Sequence, residues 1–289
     1  MPAAISTPRF APGEQLAPGL HAIELLGAGK RFETWLAWSA RHWCAVAVKL
    51  PNASRPGPRA LQALAREAAT VSSLVHPSVQ RLLESHARAR TPHLAYEYVE
   101  GPTLDDLIED EGPLLPDDVL RLGMQLAAIL RYLHGRGIVH LDLKPGNLVL
   151  RDGRAILLDF DIARRIGERG SGRKPRGSPP FMAPEQVRCE PAAPSMDLFA
   201  LGAVLYEAAT CTHAFDVEGE ADDRRYPQLE APPPRVDGVP PAVGDAIERL
   251  LALDPRDRPP SADAALALLA DALAPGEEGL WPDWADRFL

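Results

Sequence analysis

The chain has 289 residues, 31 lysines and arginines against 40 aspartates and glutamates, and a formal net charge of −9. That acidity argues against general nucleic-acid binding. The three scattered cysteines, Cys44, Cys189 and Cys211, imply no disulfide framework, and no Cys/His spacing suggests zinc.

The chain is long enough for two lobes with sizeable cores, and 46 % hydrophobic content is ordinary for a globular protein. Residues 1–17, rich in proline and alanine, read as a mobile leader with no basic-then-apolar signal pattern. Residues 18–50 read as three strands. Pro51–Pro58 is a loop with three prolines. Leu61, Leu64, Ala68, Val71 and Leu74 recur at three- and four-residue spacings, which predicts a helix over Arg59–Leu74. Residues 102–273 read as mostly helical, with long periodic stretches at Pro116–His134 and Asp197–Thr210. The acidic run Asp105, Asp106, Glu109, Asp110 and Glu111 reads as a solvated helix face or, as the alternative, a substrate-recognition surface. His213–Pro241 is a proline-rich surface excursion. No apolar run reaches the ~20 residues that span a bilayer, and the longest candidate, Leu198–Cys211, contains Glu207. A soluble, cytoplasmic chain without a membrane or nucleic-acid partner is expected.

The chemistry concentrates at residues 140–161. His140-Leu141-Asp142-Leu143-Lys144-Pro145-Gly146-Asn147 carries a carboxylate, an ammonium and an amide at i, i+2 and i+5. After a short apolar hairpin, Asp159-Phe160-Asp161 adds another carboxylate. Phosphoryl transfer needs these groups: a base for a hydroxyl (Asp142), a cation for the phosphate (Lys144), and two oxygen ligands for Mg²⁺ (Asn147 and Asp159). Mg²⁺ takes few protein oxygens and keeps several waters, so two ligands suffice.

These motifs resemble the catalytic loop and metal-binding motif of eukaryotic-type (Hanks-type) serine/threonine protein kinases, of a bacterial-looking kind. The resemblance covers roughly residues 18–273. Leu26-Gly27-Ala28-Gly29-Lys30-Arg31-Phe32 resembles the glycine-rich loop over ATP phosphates. Lys49, ending Ala45-Val46-Ala47-Val48, resembles the phosphate-holding lysine, and Glu67 its ion-pair partner. Leu94–Gly101 resembles the strand and hinge between lobes. There the main chain of Glu97 and Val99 would bond adenine, Tyr96 would guard the deep pocket, Thr34 and Ala47 would cover the base from above, and Val149 from below. Gly177–Glu185 resembles the end of an activation segment, which argues for a protein substrate. Glu185 is expected to pair with Arg258, and Asp197 to brace the catalytic loop. Lys144 follows the serine/threonine pattern. The resemblance implies an α+β, two-lobed fold: a small antiparallel β-sheet N-lobe (18–97) with one main helix, and a larger, mostly helical C-lobe (102–273).

It implies an ATP- and Mg²⁺-dependent kinase acting on a protein hydroxyl. The alternatives are a pseudokinase serving as a nucleotide-binding scaffold and, further off, a small-molecule kinase. Four departures bear on mechanism. Leu141 replaces the arginine usual before the catalytic aspartate, giving a non-RD loop. Phe32 replaces a third glycine, Thr34 a valine, and Asp161 a glycine that permits left-handed backbone. The segment 164–176 holds Arg164, Arg165, Arg169, Arg173, Lys174 and Arg176 against a single Glu168, which reads as a solvated flexible loop or as a contact for an acidic partner. In residues 274–289, Trp281, Trp284 and Phe288 would share one helix face, fitted to pack back on the chain, or to anchor a partner or a second copy.

Overall fold

A computed structural model describes residues 9–29, 31–52, 56–170, 174–215 and 225–273. The expectations for Lys30, Arg173 and the aromatic tail lie outside the described residues. The fold divides into two compact units, the first ending at Glu100 and the second beginning at Gly101.

The first unit is built on one antiparallel sheet. Its strands are β1 (Gln15–Ala17), β2 (Leu20–Ala28), β3 (Phe32–Ser39), β4 (Cys44–Pro51), β5 (Leu82–Ser85) and β6 (Leu94–Glu97), in the spatial order β1-β2-β3-β4-β6-β5. Alternation along β3 and β4 sends Trp35, Ala37, Val46 and Val48 into a core with Leu16, Ala17, Leu20, Ala22 and Leu50. Residues 15–17, read as part of a mobile leader, instead form strand β1. Leu16 and Ala17 are 4 % exposed. Phe10 meets Trp35 edge-on at 5.5 Å, and Arg9 donates to the Pro51 carbonyl at 2.8 Å. Apolar residues inside a proline-rich stretch found a partner that local composition does not reveal.

Helix α1 (Pro58–Val71) follows Gly57, with proline at its first turn. It buries Ala63, Leu64, Glu67, Ala68 and Val71. It stops one turn before Leu74 because the Ser72 and Ser73 hydroxyls bond back to the carbonyls of Ala69 and Thr70. Such serines offer the backbone an alternative to continued helix.

The second unit is mostly helical. It contains α2 (Leu104–Glu111), α3 (Pro116–Gly135), α4 (Pro184–Val187), α5 (Pro194–Thr210), α6 (Pro241–Leu250) and α7 (Ala262–Ala272). Short strands β7 (Ile138–Val139), β8 (Leu148–Arg151), β9 (Arg154–Leu157) and β10 (Arg164–Arg165) complete it. Antiparallel β8 and β9 are joined by Asp152-Gly153, both at positive φ (52° and 72°). That is the turn whose twist matches a hairpin. α5 is buried on nearly every side, as a central helix must be. Its neighbours approach closely through glycines. A Cβ on Gly123 of α3 would come within 2.8 Å of Leu205, and one on Gly202 within 2.8 Å of Leu250. No helix among the described residues is long and apolar enough to cross a membrane.

Candidate active site

In the first unit, strand and helix bring Lys49 and Glu67 together. Lys49 occupies β4 opposite Thr34 of β3, and Ala47 lies opposite Leu36 and Tyr96. Lys49 Nζ is 2.8 Å from Glu67 Oε2, with both side chains buried. The tyrosine hydroxyl of Tyr96 donates to Glu67 Oε1 at 2.7 Å. One carboxylate oxygen thus takes a hydrogen bond and the other an ion pair, the company a buried charge requires. Phe32 is 7 % exposed, and Lys49 Nζ lies 5.2 Å from the centre of its ring. The phenylalanine at the third glycine position is thus packed as a cation–π partner of the lysine.

Gly27 and Gly29 flank the end of β2; the Gly29 N–H donates to the Phe32 carbonyl, and Asn52 donates to the Gly29 carbonyl. Glu97 ends β6. Its N–H donates to Arg81, and its carbonyl accepts from Gln80 at 2.9 Å. A carbonyl has a second lone pair, so one acceptor site remains at this position. Val99 is buried.

In the second unit, Asp142, Lys144, Asn147 and Asp159 lie on the segment either side of the β8–β9 hairpin. Asn147, 7 % exposed, donates to the Asp142 carbonyl at 2.8 Å and to Asp142 Oδ2 at 3.3 Å. The nitrogen of its amide is thereby fixed and its oxygen left as an acceptor. Asp142 Oδ1 accepts from the Ser178 N–H at 2.8 Å and from the Ser178 hydroxyl at 3.0 Å. Asp159 is exposed and accepts one bond from the Asp161 N–H at 3.2 Å. Asn147 and Asp159 both present hard oxygens, a donor set that fits a Mg²⁺ ion retaining its waters. Val149 of β8 is 5 % exposed and bridges Thr103.

Left-handed backbone falls at Leu141 (φ 68°) and Asp159 (φ 57°), and Asp161 does not share it. The glycine-to-aspartate departure therefore puts no left-handed strain at position 161. Strain of this kind persists only where surrounding contacts hold it. For Leu141 those contacts are plain. Its N–H donates to Asp197 Oδ1 at 2.8 Å, and its carbonyl accepts from Gln186 at 2.8 Å. Asp197 Oδ2 takes the His140 N–H at 2.9 Å and His134 Nε2 at 2.9 Å. Burial disfavours the Asp197 charge. The His134 hydrogen bond, the nearby His134 and His140 rings and the Leu141 N–H outweigh it, and hold the carboxyl below its ordinary pKa. His140 is fully buried, accepts from the Asp142 N–H through Nδ1 and reaches the Leu158 carbonyl through Nε2.

The activation segment is anchored at both ends. Arg258 grips Glu185 with two nitrogens, at 2.6 and 3.0 Å, in a buried bidentate pair. Arg164 is 5 % exposed, so it is not the solvated loop cation its sequence context suggests. It donates to the Ile162 and Ala163 carbonyls and lies 3.7 Å from Glu168. Gln228, inside the proline-rich excursion, is buried and donates to the Pro179 and Met182 carbonyls at 2.9 and 3.0 Å. Ser178, Gln186, Gln228 and the Tyr96 hydroxyl were not legible as partners in the sequence, because each acts across a long chain separation.

Residues 20–268 match the protein kinase domain family. The chain is 32 % identical over 209 residues to the serine/threonine-protein kinase PkaA of Streptomyces coelicolor, covering 70 % of this chain and 38 % of that protein. It is 30 % identical over 249 residues to the serine/threonine-protein kinase PknB of Mycobacterium tuberculosis, covering 81 % of this chain and 40 % of that protein. The chain thus spans about two fifths of the length of these relatives. With its matched span, its antiparallel sheet with one helix and its helical second unit, this chain belongs to the protein kinase domain family.

Proposed function

We propose that the chain is a serine/threonine protein kinase that moves the γ-phosphoryl group of ATP, with Mg²⁺, to a hydroxyl of a protein substrate. The observation that carries this reading is the doubly held Asp142: Asn147 on one oxygen, Ser178 on the other. A general base must be aimed before it is useful, and these bonds fix its rotamer. The names of the relatives, serine/threonine-protein kinases, support the same class.

In this mechanism a substrate hydroxyl replaces the Ser178 hydroxyl beside Asp142 and gives its proton to that carboxylate as its oxygen bonds to the γ-phosphorus. The bond from that phosphorus to the bridging oxygen breaks, and ADP leaves. Lys144 offsets the charge on the transferring group. Lys49, fixed by Glu67, holds the α- and β-phosphates, and the glycines at 27 and 29 let main-chain N–H groups approach them. Glu97 and Val99 offer main-chain groups to adenine, and Thr34, Ala47 and Val149 offer contact surface. Asn147 and Asp159 would hold Mg²⁺, which supplies charge neutralisation between phosphates when bound. Chain-specific regulation follows from Leu141. It carries no charge for an activation-loop phosphate to neutralise, and Glu168 already provides a carboxylate at Arg164.

The test is transfer of radiolabelled γ-phosphate to serine and threonine peptides by the parent and by Asp142→Asn. Labelling by the parent alone is expected. Equal labelling by both removes Asp142 from the role, and ATP binding without any transfer replaces the reading with a nucleotide-binding scaffold.

A further inference from the structure

Phe32 lies on a face of the sheet that its strand pairing defines. Trp35, Ala37, Val46, Val48 and Leu50 enter the core of the first unit. Phe32 stands opposite Pro51, Thr34 opposite Lys49 and Leu36 opposite Ala47, and alternation puts these residues on the other face. Phe32 takes no part in that core, yet it is buried. Its burial therefore belongs to the face that carries Lys49.

Diagonal pairing brings the ring to the lysine. In an antiparallel pair, a residue two positions from the direct partner lies about 7–8 Å away, within reach of an aromatic ring and a long side chain. Lys49 comes two residues before Pro51, and its Nζ lies 5.2 Å from the centre of the Phe32 ring. That is inside the ~6 Å over which the negative face of a ring attracts a cation. The Lys49 side chain is buried, and such contacts are strongest when water is excluded. Glu67 meets the same ammonium from α1 at 2.8 Å. Strand β3 and helix α1 thus hold it between them.

The backbone under the ring is fastened independently. The Gly29 N–H donates to the Phe32 carbonyl at 2.8 Å. The Asn52 side-chain amide donates to the Gly29 carbonyl at 2.9 Å, and the Asn52 N–H donates to the Arg31 carbonyl at 3.0 Å. Asn52 comes directly after β4, the strand that bears Lys49. The turn carrying the ring is therefore tied to the end of the lysine's own strand. Glycine at this position would supply no ring and would leave the backbone freer.

We propose that Phe32 is a positioning residue for Lys49. Its ring, kept in place by Asn52, holds the ammonium jointly with Glu67 where the α- and β-phosphates of ATP would meet it. This proposal rests on the ATP-dependent kinase reading above and adds to it a residue that carries no charge. The ring offers the phosphates no hydrogen bond, so its effect on them passes through Lys49. Tyrosine in its place keeps the π-face, whereas leucine keeps apolar bulk without one.

The experiment uses the full chain and titration calorimetry in Mg²⁺ with either ATP or adenosine. Phe32→Leu is expected to weaken ATP binding about 10-fold, and Phe32→Tyr by less than about 3-fold. Adenosine has no phosphate to meet Lys49, and should bind the parent and Phe32→Leu alike. An unchanged ATP affinity in Phe32→Leu overturns the proposal. Equal losses for ATP and adenosine, or a Phe32→Tyr as weak as Phe32→Leu, do the same. Asn52→Ala removes an exposed side chain and is read if Phe32→Leu does not fold. It should weaken ATP about 3-fold, and an affinity equal to the parent's overturns the proposal. If the parent binds no ATP, the kinase reading fails, and the lysine's own reactivity decides. Trace acetylation with acetic anhydride, read by peptide mass spectrometry, should label Lys49 several-fold faster in Phe32→Leu and Asn52→Ala than in the parent or Phe32→Tyr. Equal rates in all four overturn the proposal on that route as well.

Discussion

Tyr96 and Glu67 are joined by a 2.7 Å hydrogen bond between two buried side chains, and Lys49 takes the other oxygen of the same carboxylate at 2.8 Å. The strand and the helix are therefore linked through the group that orients the lysine. Tyr96→Phe removes only the hydroxyl. A hydrogen bond to a charged group is worth about 1.5–3 kcal/mol, so a fall of about 10-fold or more in kcat/KM for ATP is expected. Steady-state kinetics at varied ATP checks it; a variant indistinguishable from the parent means that Lys49 alone keeps Glu67 in place.

Ser178 donates twice to Asp142 Oδ1. Asp142→Asn should cut transfer by about 10²–10⁴-fold, the usual contribution of a general base. Ser178→Ala keeps the main-chain N–H and loses the hydroxyl bond, so a smaller loss of about 10-fold is expected. Both are read by single-turnover labelling at saturating ATP. A larger loss for Ser178→Ala than for Asp142→Asn would reverse the assignment of roles.

Arg258 and Glu185 form a buried bidentate pair, and Ser195 donates a further bond to Glu185 at 3.0 Å. Removing one partner strands the other charge in the interior. Arg258→Met should therefore cost about 3–5 kcal/mol of stability. Denaturant unfolding at neutral pH measures it. A cost below about 1 kcal/mol, the range of an exposed pair, would show that water reaches Glu185.

Asp197 accepts the N–H groups of His140 and Leu141 together with His134. Its pKa is lowered in the folded chain. A lowered carboxyl pKa contributes stability that is fully present above the unfolded value, about 3.9, and is lost as pH falls through the folded value. Acid unfolding of the parent should carry this term, and Asp197→Asn should remove it while lowering stability at neutral pH by about 2–4 kcal/mol. Equal acid limbs in parent and variant would mean that Asp197 does not titrate in that window.

Control by phosphorylation of the activation segment is not expected. Leu141 lines a cavity of about 60 Å³ together with Ile162, Arg164 and Glu168, and Glu168 is the anion beside Arg164. Phosphatase treatment and Ser171→Ala should each leave the labelling rate unchanged. A drop of 10-fold or more in either would require a phosphate partner other than Leu141.

The family, the two-unit order and the candidate chemistry were determined by the sequence itself, because they rest on short spacings. Asp142, Lys144 and Asn147 lie within six consecutive residues, and Lys49 ends a run of alternating strand residues. The α1 helix was legible from its apolar period, though not its end, which two serine hydroxyls decide. What tertiary structure alone decided is which groups hold the site. Tyr96 reaches Glu67 across 29 residues, Ser178 reaches Asp142 across 36, Gln186 reaches Leu141 across 45 and His134 reaches Asp197 across 63. The same holds for Leu16 and Ala17, which are buried only because β1 finds β2. Periodicity and spacing report which face of an element is apolar. They carry no information about which distant polar group will satisfy a buried one, since that choice is made by the packing of the whole core.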